Sequence, residues 1–536
     1  MANVKATDLI DFTRASKGHA LAKISYGSEL VTNGDFETDS DWTKEASWTI
    51  SGGTATYDGA VHVETLFQNI SLTTGKIIKI SYTVKNVEAG KTAYFNVVGS
   101  PNASPLYKQY TNHTEGDYEI IATVEEGNIG LGFFALNSGT GGAFDLDNIS
   151  VKEVLFNQPD GTLRLFEHPN NIPRIEYDAE GNLLGLLTEE SRTNLFRYSE
   201  DFSNWDSYSA NHFTINYATA PDGTQTATRF NPQFQTDPGN SSKLLRLYRG
   251  VNSTAGNVVS FSVFVKPVQS SSLYIGNPDG ADVDNDLLIH LNADQSSGKS
   301  AWNLKTKTWD LEDSDHTTFQ EEYPNGWYRI GIIYTVANND STNNHFINFG
   351  NRTSQANFDP YPSGLEDAYI WGAQVEVGSF ATGVERSADV AEIDVDQFGY
   401  NQNEGTVTVE IDSLTDTLVG NPMAYQLNDG TTSERLTVFG SGSSWRFVVT
   451  DGGVQQSSIL GGTFGTAKIA SSFEQNKFNH CVNGTLSTED TSGTMPTITE
   501  LGLGHQNGSN LLNGHIKSLT YTPKRLSNAK LQELTS

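Results

Sequence analysis

The chain has 536 residues, enough for three or four domains at roughly 150 residues each. Lys plus Arg number 34 and Asp plus Glu 64, a net charge of 34 − 64 = −30. That balance excludes a nucleic-acid binder built on clustered cations and an affinity for anionic membrane surfaces.

Met1-Ala-Asn-Val-Lys5 has no apolar run of the kind that opens a secreted protein, and no stretch of ~18 apolar residues follows. The expectation is a soluble chain made in a cytoplasm. Residues 1–26 contain Asp11-Phe-Thr-Arg-Ala-Ser16, faintly echoed by Glu385-Arg-Ser-Ala-Asp389, and suit either an anchor or a strand that completes a later module. Short alternating runs then dominate. Ile78, Ile80, Tyr82 and Val84 share one strand face; Phe261, Val263 and Val265 share another, with Phe264 opposite; Thr406–Asp412 alternates throughout. Ser51-Gly-Gly and Asp451-Gly-Gly mark turns, in a chain with 50 Gly against 3 Met. Only the C-terminus predicts a helix, with Ser527 as N-cap and Leu526 stapled to Leu531. Cys481 is the single cysteine, so no disulfide within the chain can form. The pattern predicts an all-β fold of tandem antiparallel β-sandwich (jelly-roll) modules with a short C-terminal helix.

An internal repeat sets the boundaries. Asn33-Gly-Asp-Phe-Glu-Thr-Asp-Ser-Asp-Trp42 and Ser199-Glu-Asp-Phe-Ser-Asn-Trp205 each place an acidic-Phe motif before a Trp. Gly142–Val151 and Asp367–Val377 are similar closing strands. Related modules therefore span about 27–155 and 197–385. The predicted organisation is an N-terminal segment 1–26, a first sandwich 27–155, a connector with short hairpins 156–196, a second sandwich 197–390, and a third module 398–536.

The opening "ELVTNGDFE" and closing "FDLDNISVKEV" of the first module resemble the carbohydrate-binding-module type of jelly roll. Residues 183–205, 325–330 and 368–390 resemble segments of bacteriophage tail and other virion-surface proteins. In the third module, "FNHCVNGT" (478–485), 501–521 and 523–535 resemble concanavalin-like, laminin-G-like jelly rolls. The resemblance implies a structural protein on a phage virion. It would be a tail fibre or receptor-binding protein touching host surface polysaccharide, homotrimeric and bound to other virion proteins, with no nucleic acid and no membrane insertion. The rival within that class is a capsid decoration or head fibre protein. A rival of another class is a glycan depolymerase.

The first-module resemblance implies a structural calcium at Asp35, Glu37 and Asp147. Asp282, Asp284 and Asp286 form a second carboxylate cluster, without the Gly and final Glu of an EF-hand loop. Sugar rings stack on aromatic side chains, and the candidates are Trp48, Tyr57, Tyr107, Tyr110, Trp445 and His505. Trp42, Trp205, Trp327 and Trp371 lie inside motifs and are expected to pack. Glu392-Ile-Asp-Val-Asp396 only approaches a glycosidase strand, and Gly298-Lys-Ser300 lacks the first Gly of a phosphate loop. No nucleophile triad is legible, so the expectation is no enzyme.

Overall fold

A computed structural model describes residues 10–60, 63–100, 111–137, 139, 141–158, 160–196, 198–208, 213–230, 245–268, 288–296, 298–350, 367–382, 388–414 and 420–536. Among the described residues, strand accounts for 57% and helix for 4%, which makes the fold all-β. Among the described residues no helix is long and apolar enough to cross a membrane.

The chain divides into two units, Lys23–Thr162 and Met1–Ala22 with Leu163–Ser536. The smaller unit is thus an insertion in the sequence of the larger one. Its two ends are tied together where Asn157 N–H donates to the Lys23 carbonyl at 2.9 Å. One of its sheets runs Gly116–Thr123, Ile77–Lys85, Phe144–Phe156 and Gly18–Glu29; the other centres on Val63–Asn69, Gly130–Leu136 and Ala93–Val98. The alternation of Ile77–Lys85 puts Ile78, Ile80, Tyr82 and Val84 into the core between these sheets.

The larger unit holds two sandwiches. The second-module sandwich has two six-stranded sheets, and Phe261, Val263 and Val265 are fully buried in its core. The third-module sandwich has two seven-stranded sheets, with Val407, Val409 and Ile411 inside. Strands from outside 398–536 complete it. Asp11–Thr13 pairs with Val390–Asp394, which pairs with Glu500–Leu503, and Phe12 joins the core. The described N-terminal residues therefore supply a completing strand. Residues 156–196 do more than connect: Leu183–Thr188 pairs with both Ile175–Tyr177 and Gly514–Thr522. The C-terminal helix Asn528–Thr535 is capped by Ser527, whose hydroxyl accepts from Lys530 N–H, and its buried Leu531 packs beside Leu526 and Cys481.

Buried charges hold these distant segments. Asp389 accepts from Arg14 Nη1 at 3.3 Å and from Arg174 Nη2, and Arg174 Nη1 lies 2.8 Å from Glu189. Arg14, Arg174 and Asp389 are all at most 1% exposed.

The internal repeat is visible in the backbone. Leu30 N–H donates to the Val151 carbonyl and Leu195 N–H to that of Val375, at 2.9 and 2.8 Å. Ile149 N–H donates to Gly34 and Ala373 N–H to Ser199. Glu29 Oε1 accepts from Val31 and Val151, as Asn194 Oδ1 accepts from Phe196 and Val375. Each closing strand bulges at a left-handed residue, Asn148 (φ 51°) or Gly372 (φ 61°). Each motif Trp packs on its Phe, Trp42 on Phe36 and Trp205 on Phe202. Acidic-Phe-Trp is therefore a latch that docks the opening segment onto the closing strand. At Gly34 the latch leaves no room, since a Cβ there would lie 1.9 Å from the Ile149 carbonyl oxygen. Gly34→Ala is expected to cost roughly 1–3 kcal/mol or more. Limited proteolysis of the full chain would show this as faster cleavage within 23–162; unchanged cleavage and melting would refute the latch.

Candidate functional site

Phe264 faces away from the second-module core because it lies opposite Phe261, Val263 and Val265. It packs with Trp371 and Tyr323, at ring separations of 5.3 and 5.0 Å, in a separate apolar cluster that includes Leu21 and Leu165. These side chains floor a cleft of about 330 Å³ within the larger unit. Its other walls come from the 175–189 hairpin, the strand Gly514–Thr522, the 321–329 hairpin and residues 374–382.

Polar groups around the floor are held in place by specific bonds. Glu176 lies on a three-residue strand beside Gly185; its Oε2 is 2.8 Å from His515 Nε2, and its Oε1 accepts from Leu21 N–H at 3.3 Å. Burial disfavours charge on His515, but the bond to Glu176 and its negative charge outweigh this and raise the imidazole pKa. Arg329 donates to Ser262 Oγ at 3.2 Å, to Gln374 Oε1 at 2.8 Å and to the Thr382 carbonyl at 2.6 Å. Glu321 accepts from Tyr323 O–H at 3.1 Å and sits 3.9 Å from Arg329 Nη1. Its side chain is 46% accessible because it borders the cleft, yet protein surrounds it. That burial, reinforced by the charge of Glu176, raises the Glu321 pKa in spite of Arg329.

Chemically, the cleft offers apolar faces ringed by fixed donors and acceptors, the arrangement that suits a small polyhydroxylated ligand. It also brings together carboxylates on different strands, as glycoside hydrolysis requires.

Among the described residues, none of the aromatic candidates chosen from the sequence lines it. Trp48 is 3% exposed, walled in by Tyr57 and Phe144, and its indole N–H donates to the Glu64 carbonyl. Tyr57 and Trp445 are fully buried, Trp445 against Phe464 with its N–H on the Gly465 carbonyl. His505 is 1% exposed; it accepts from Gly508 N–H at Nδ1 and donates through Nε2 to the Ala391 carbonyl, which fixes the strand Val390–Asp394. These four rings have no free face for a sugar, so their reading as binding residues is corrected to packing. Tyr107, Tyr110, Asp282, Asp284 and Asp286 lie outside the described residues.

The expected calcium ligands are not brought together. Asp147 is 2.6 Å from Lys85 Nζ and accepts from Asn148 N–H, whereas Asp35 and Glu37 are exposed beside the Gly53 turn. Among the described residues no three His, Cys, Asp or Glu side chains converge on a metal position. Asp394 caps a turn by accepting from Asp396 N–H, so Glu392-Ile-Asp-Val-Asp396 does not continue as one strand. Ser300 is engaged by His316 and Asp313 N–H within the fold. Trp42, Trp205, Trp327 and Trp371 are buried, as expected for packing.

Sequence reasoning missed Glu176, Glu321, Arg329 and His515. One signal was present for Arg329: it is the charged residue inside the otherwise apolar and aromatic strand Trp327–Thr335.

No family model matches the chain, and no curated protein matches it. Among solved structures, the N-terminal CBM22-1-CBM22-2 tandem domain of Paenibacillus barcinonensis Xyn10C is 10% identical. That alignment covers 66% of this chain and 98% of the other, at a TM-score of 0.21. Domains LG4-5 of the mouse laminin alpha1 chain are 11% identical over 54% of this chain and 88% of theirs, also at 0.21. At these scores neither likeness bears on what this chain binds.

Proposed function

We propose that this chain is a non-enzymatic surface protein of a bacteriophage virion, a tail fibre or receptor-binding subunit that holds host glycan in the cleft of its larger unit. It would act as a homotrimer attached to other virion proteins. One observation carries the reading. The three stretches that resemble virion-protein segments, far apart in sequence, all line this cleft: Glu189 from 183–205, Arg329 from 325–330, and Trp371, Gln374 and Thr382 from 368–390. The net charge of −30 keeps such a protein soluble and off anionic surfaces.

The test is competition. The purified full chain should block adsorption of phage to host cells, and Tyr323→Ala, which removes part of the cleft floor, should weaken the block. Wild-type chain that neither blocks adsorption nor binds any surface polysaccharide overturns the reading. Immunogold labelling at capsomers instead of the tail would move the chain to capsid decoration. Glu321 favours a second reading, a depolymerase, because a carboxyl whose pKa is raised by burial, in a cleft with a second carboxyl on Glu176, is the raw material of a general acid. Reducing ends released from host polysaccharide, and lost in Glu321→Gln, would establish it.

A further inference from the structure

We propose that the cleft selects saccharides carrying a free, protonated amine over N-acetylated or carboxylated ones. This rests on the glycan reading above and names the ligand class of the same site. The lining contains six carboxylates (Glu176, Asp178, Glu180, Glu189, Glu321, Glu322) against one guanidinium and two imidazoles. The guanidinium and one of the imidazoles are already committed. Arg329 is spent on Ser262, Gln374 and Thr382, and His515 faces Glu176. No guanidinium is left to clamp a ligand carboxylate or sulfate in the two-pronged manner that such recognition uses.

Two of the carboxylates are engaged by cations, Glu189 by Arg174 and Glu176 by His515. Four are not neutralised in that way. Asp178 is fixed by Asn182, whose backbone and side-chain N–H groups donate at 2.7 and 2.9 Å; these bonds outweigh burial and hold its carboxyl below the usual range. Glu322 accepts only a long bond from Tyr328 O–H at 3.3 Å, Glu180 is exposed at the rim, and Glu321 is 3.9 Å from its nearest guanidinium nitrogen. A bound ammonium would add the missing positive charge.

A bare metal ion fits less well. Among the described residues no three acidic or imidazole side chains converge closely enough to ligate one, so the negative groups are spread around the wall. That spread suits a cation carried on a larger framework of hydroxyls, whose apolar face can rest on the part-exposed Tyr323 ring beside Phe264. At about 330 Å³ the cleft lies near the lower end of small-ligand sites, about 300–1,000 Å³, which fits one or two sugar rings.

Isothermal titration of the full chain with four probes tests this: glucosamine oligomers, their N-acetylated counterparts, oligogalacturonate, and an oligolysine peptide. At low salt the free-amine oligomer should bind about tenfold tighter than the N-acetylated one, and the gap should narrow as salt screens the charges. Glu321→Gln and Glu322→Gln, each checked for an unchanged melting temperature, should each remove about 3- to 10-fold of the free-amine affinity and leave N-acetylated binding alone. A preference that survives both substitutions overturns the proposal. So does galacturonate binding as tightly as glucosamine, or oligolysine matching it, since that would mean charge is read without the sugar. Binding of only neutral or acidic sugars defeats this proposal while the glycan reading stands; binding of no saccharide defeats both.

Discussion

Asp389→Ala should be among the most destabilising single substitutions in the larger unit. Its carboxylate is fully buried between two guanidiniums and also accepts from Glu189 N–H at 3.0 Å. Arg14 is otherwise spent on main-chain carbonyls: Ser16 at 2.8 Å, Pro169 at 2.8 Å and Ile172 at 3.2 Å. With Asp389 present, Arg14 and Arg174 are balanced by Asp389 and Glu189. Without it, a net positive charge is stranded where water cannot reach, because neither arginine can give up its proton. Removing one member of a buried ion network costs about 3–5 kcal/mol, against total stabilities of about 5–15 kcal/mol. The network ties the N-terminal strand, the 174–189 segment and residue 389 together, so all three should loosen as one. Urea melts read by tryptophan fluorescence should show the loss, with protease cutting first at 10–22 and 163–190. Asp389→Asn keeps one acceptor and should fall between wild type and alanine. An alanine variant that melts within about 0.5 kcal/mol of wild type, the range of ordinary surface changes, would show that the charges are solvated after all.

The strands were legible because a half-buried antiparallel strand writes its faces into the sequence. Ile78 to Val84, Phe261 to Val265 and Val407 to Ile411 all point inward as their alternation predicts. Phe-Trp repeats were legible for a related reason, since both latches use the same local bonds. What local pattern cannot report is pairing between distant strands. Ile175–Tyr177 is three residues long and follows Pro173, so it looks like loop, and only the pairing of Leu186 with Ile516 makes the hairpin part of a sheet. The insertion was hidden in a similar way, because its N-terminal boundary falls inside the continuous strand Gly18–Glu29 instead of in a turn.

The site was less legible than the fold. Trp48 suggests a binding residue only by being aromatic, whereas Trp48-Thr-Ile-Ser alternates and turns Trp48 inward with Ile50. The cleft residues come from eight separate segments that share no local signal. Phe264 was seen as the odd residue on its strand face, yet the ring that meets it, Trp371, lies over a hundred positions on, and Glu176 gains its place only from His515. Where 64 acidic residues are scattered through a chain, carboxylates that matter differ from the rest by burial and partners, which composition does not show.

Acid should destabilise the larger unit through two buried histidines. His345 is fully buried in the second-module sandwich. Its Nδ1–H donates to the Asn343 carbonyl at 3.1 Å, and its Nε2 accepts from Tyr334 O–H at 2.8 Å. Both nitrogens are satisfied only while the ring is neutral, and Tyr334 O–H already receives a bond from Asn343 Nδ2 at 3.0 Å. His480 is equally buried in the third-module sandwich, with Nδ1 3.0 Å from Ser471 Oγ. Burial pushes both imidazoles down from 6.5 to about 3. The folded pKa therefore lies below the unfolded one. Above pH 6.5 neither state takes the proton and the stabilisation is complete; below it the unfolded chain is protonated first, and stability falls until the pH reaches the folded value. Each group should contribute a loss of about 2 kcal/mol between pH 6.5 and 4.5, at 1.36 kcal/mol per pH unit. Groups of opposite sign act in the same window. Glu200, raised by burial to about 7, binds its proton in the folded state first and adds stability as the pH falls from 7 towards 4.5. The measurement that isolates the histidines is therefore a difference. Urea melts of wild type, His345→Gln and His480→Gln should show each variant less stable at pH 7.5 but closing on wild type by about 2 kcal/mol at pH 4.5. Parallel stability curves for wild type and variant would mean that the imidazole takes up its proton inside the fold as readily as it does in the unfolded chain.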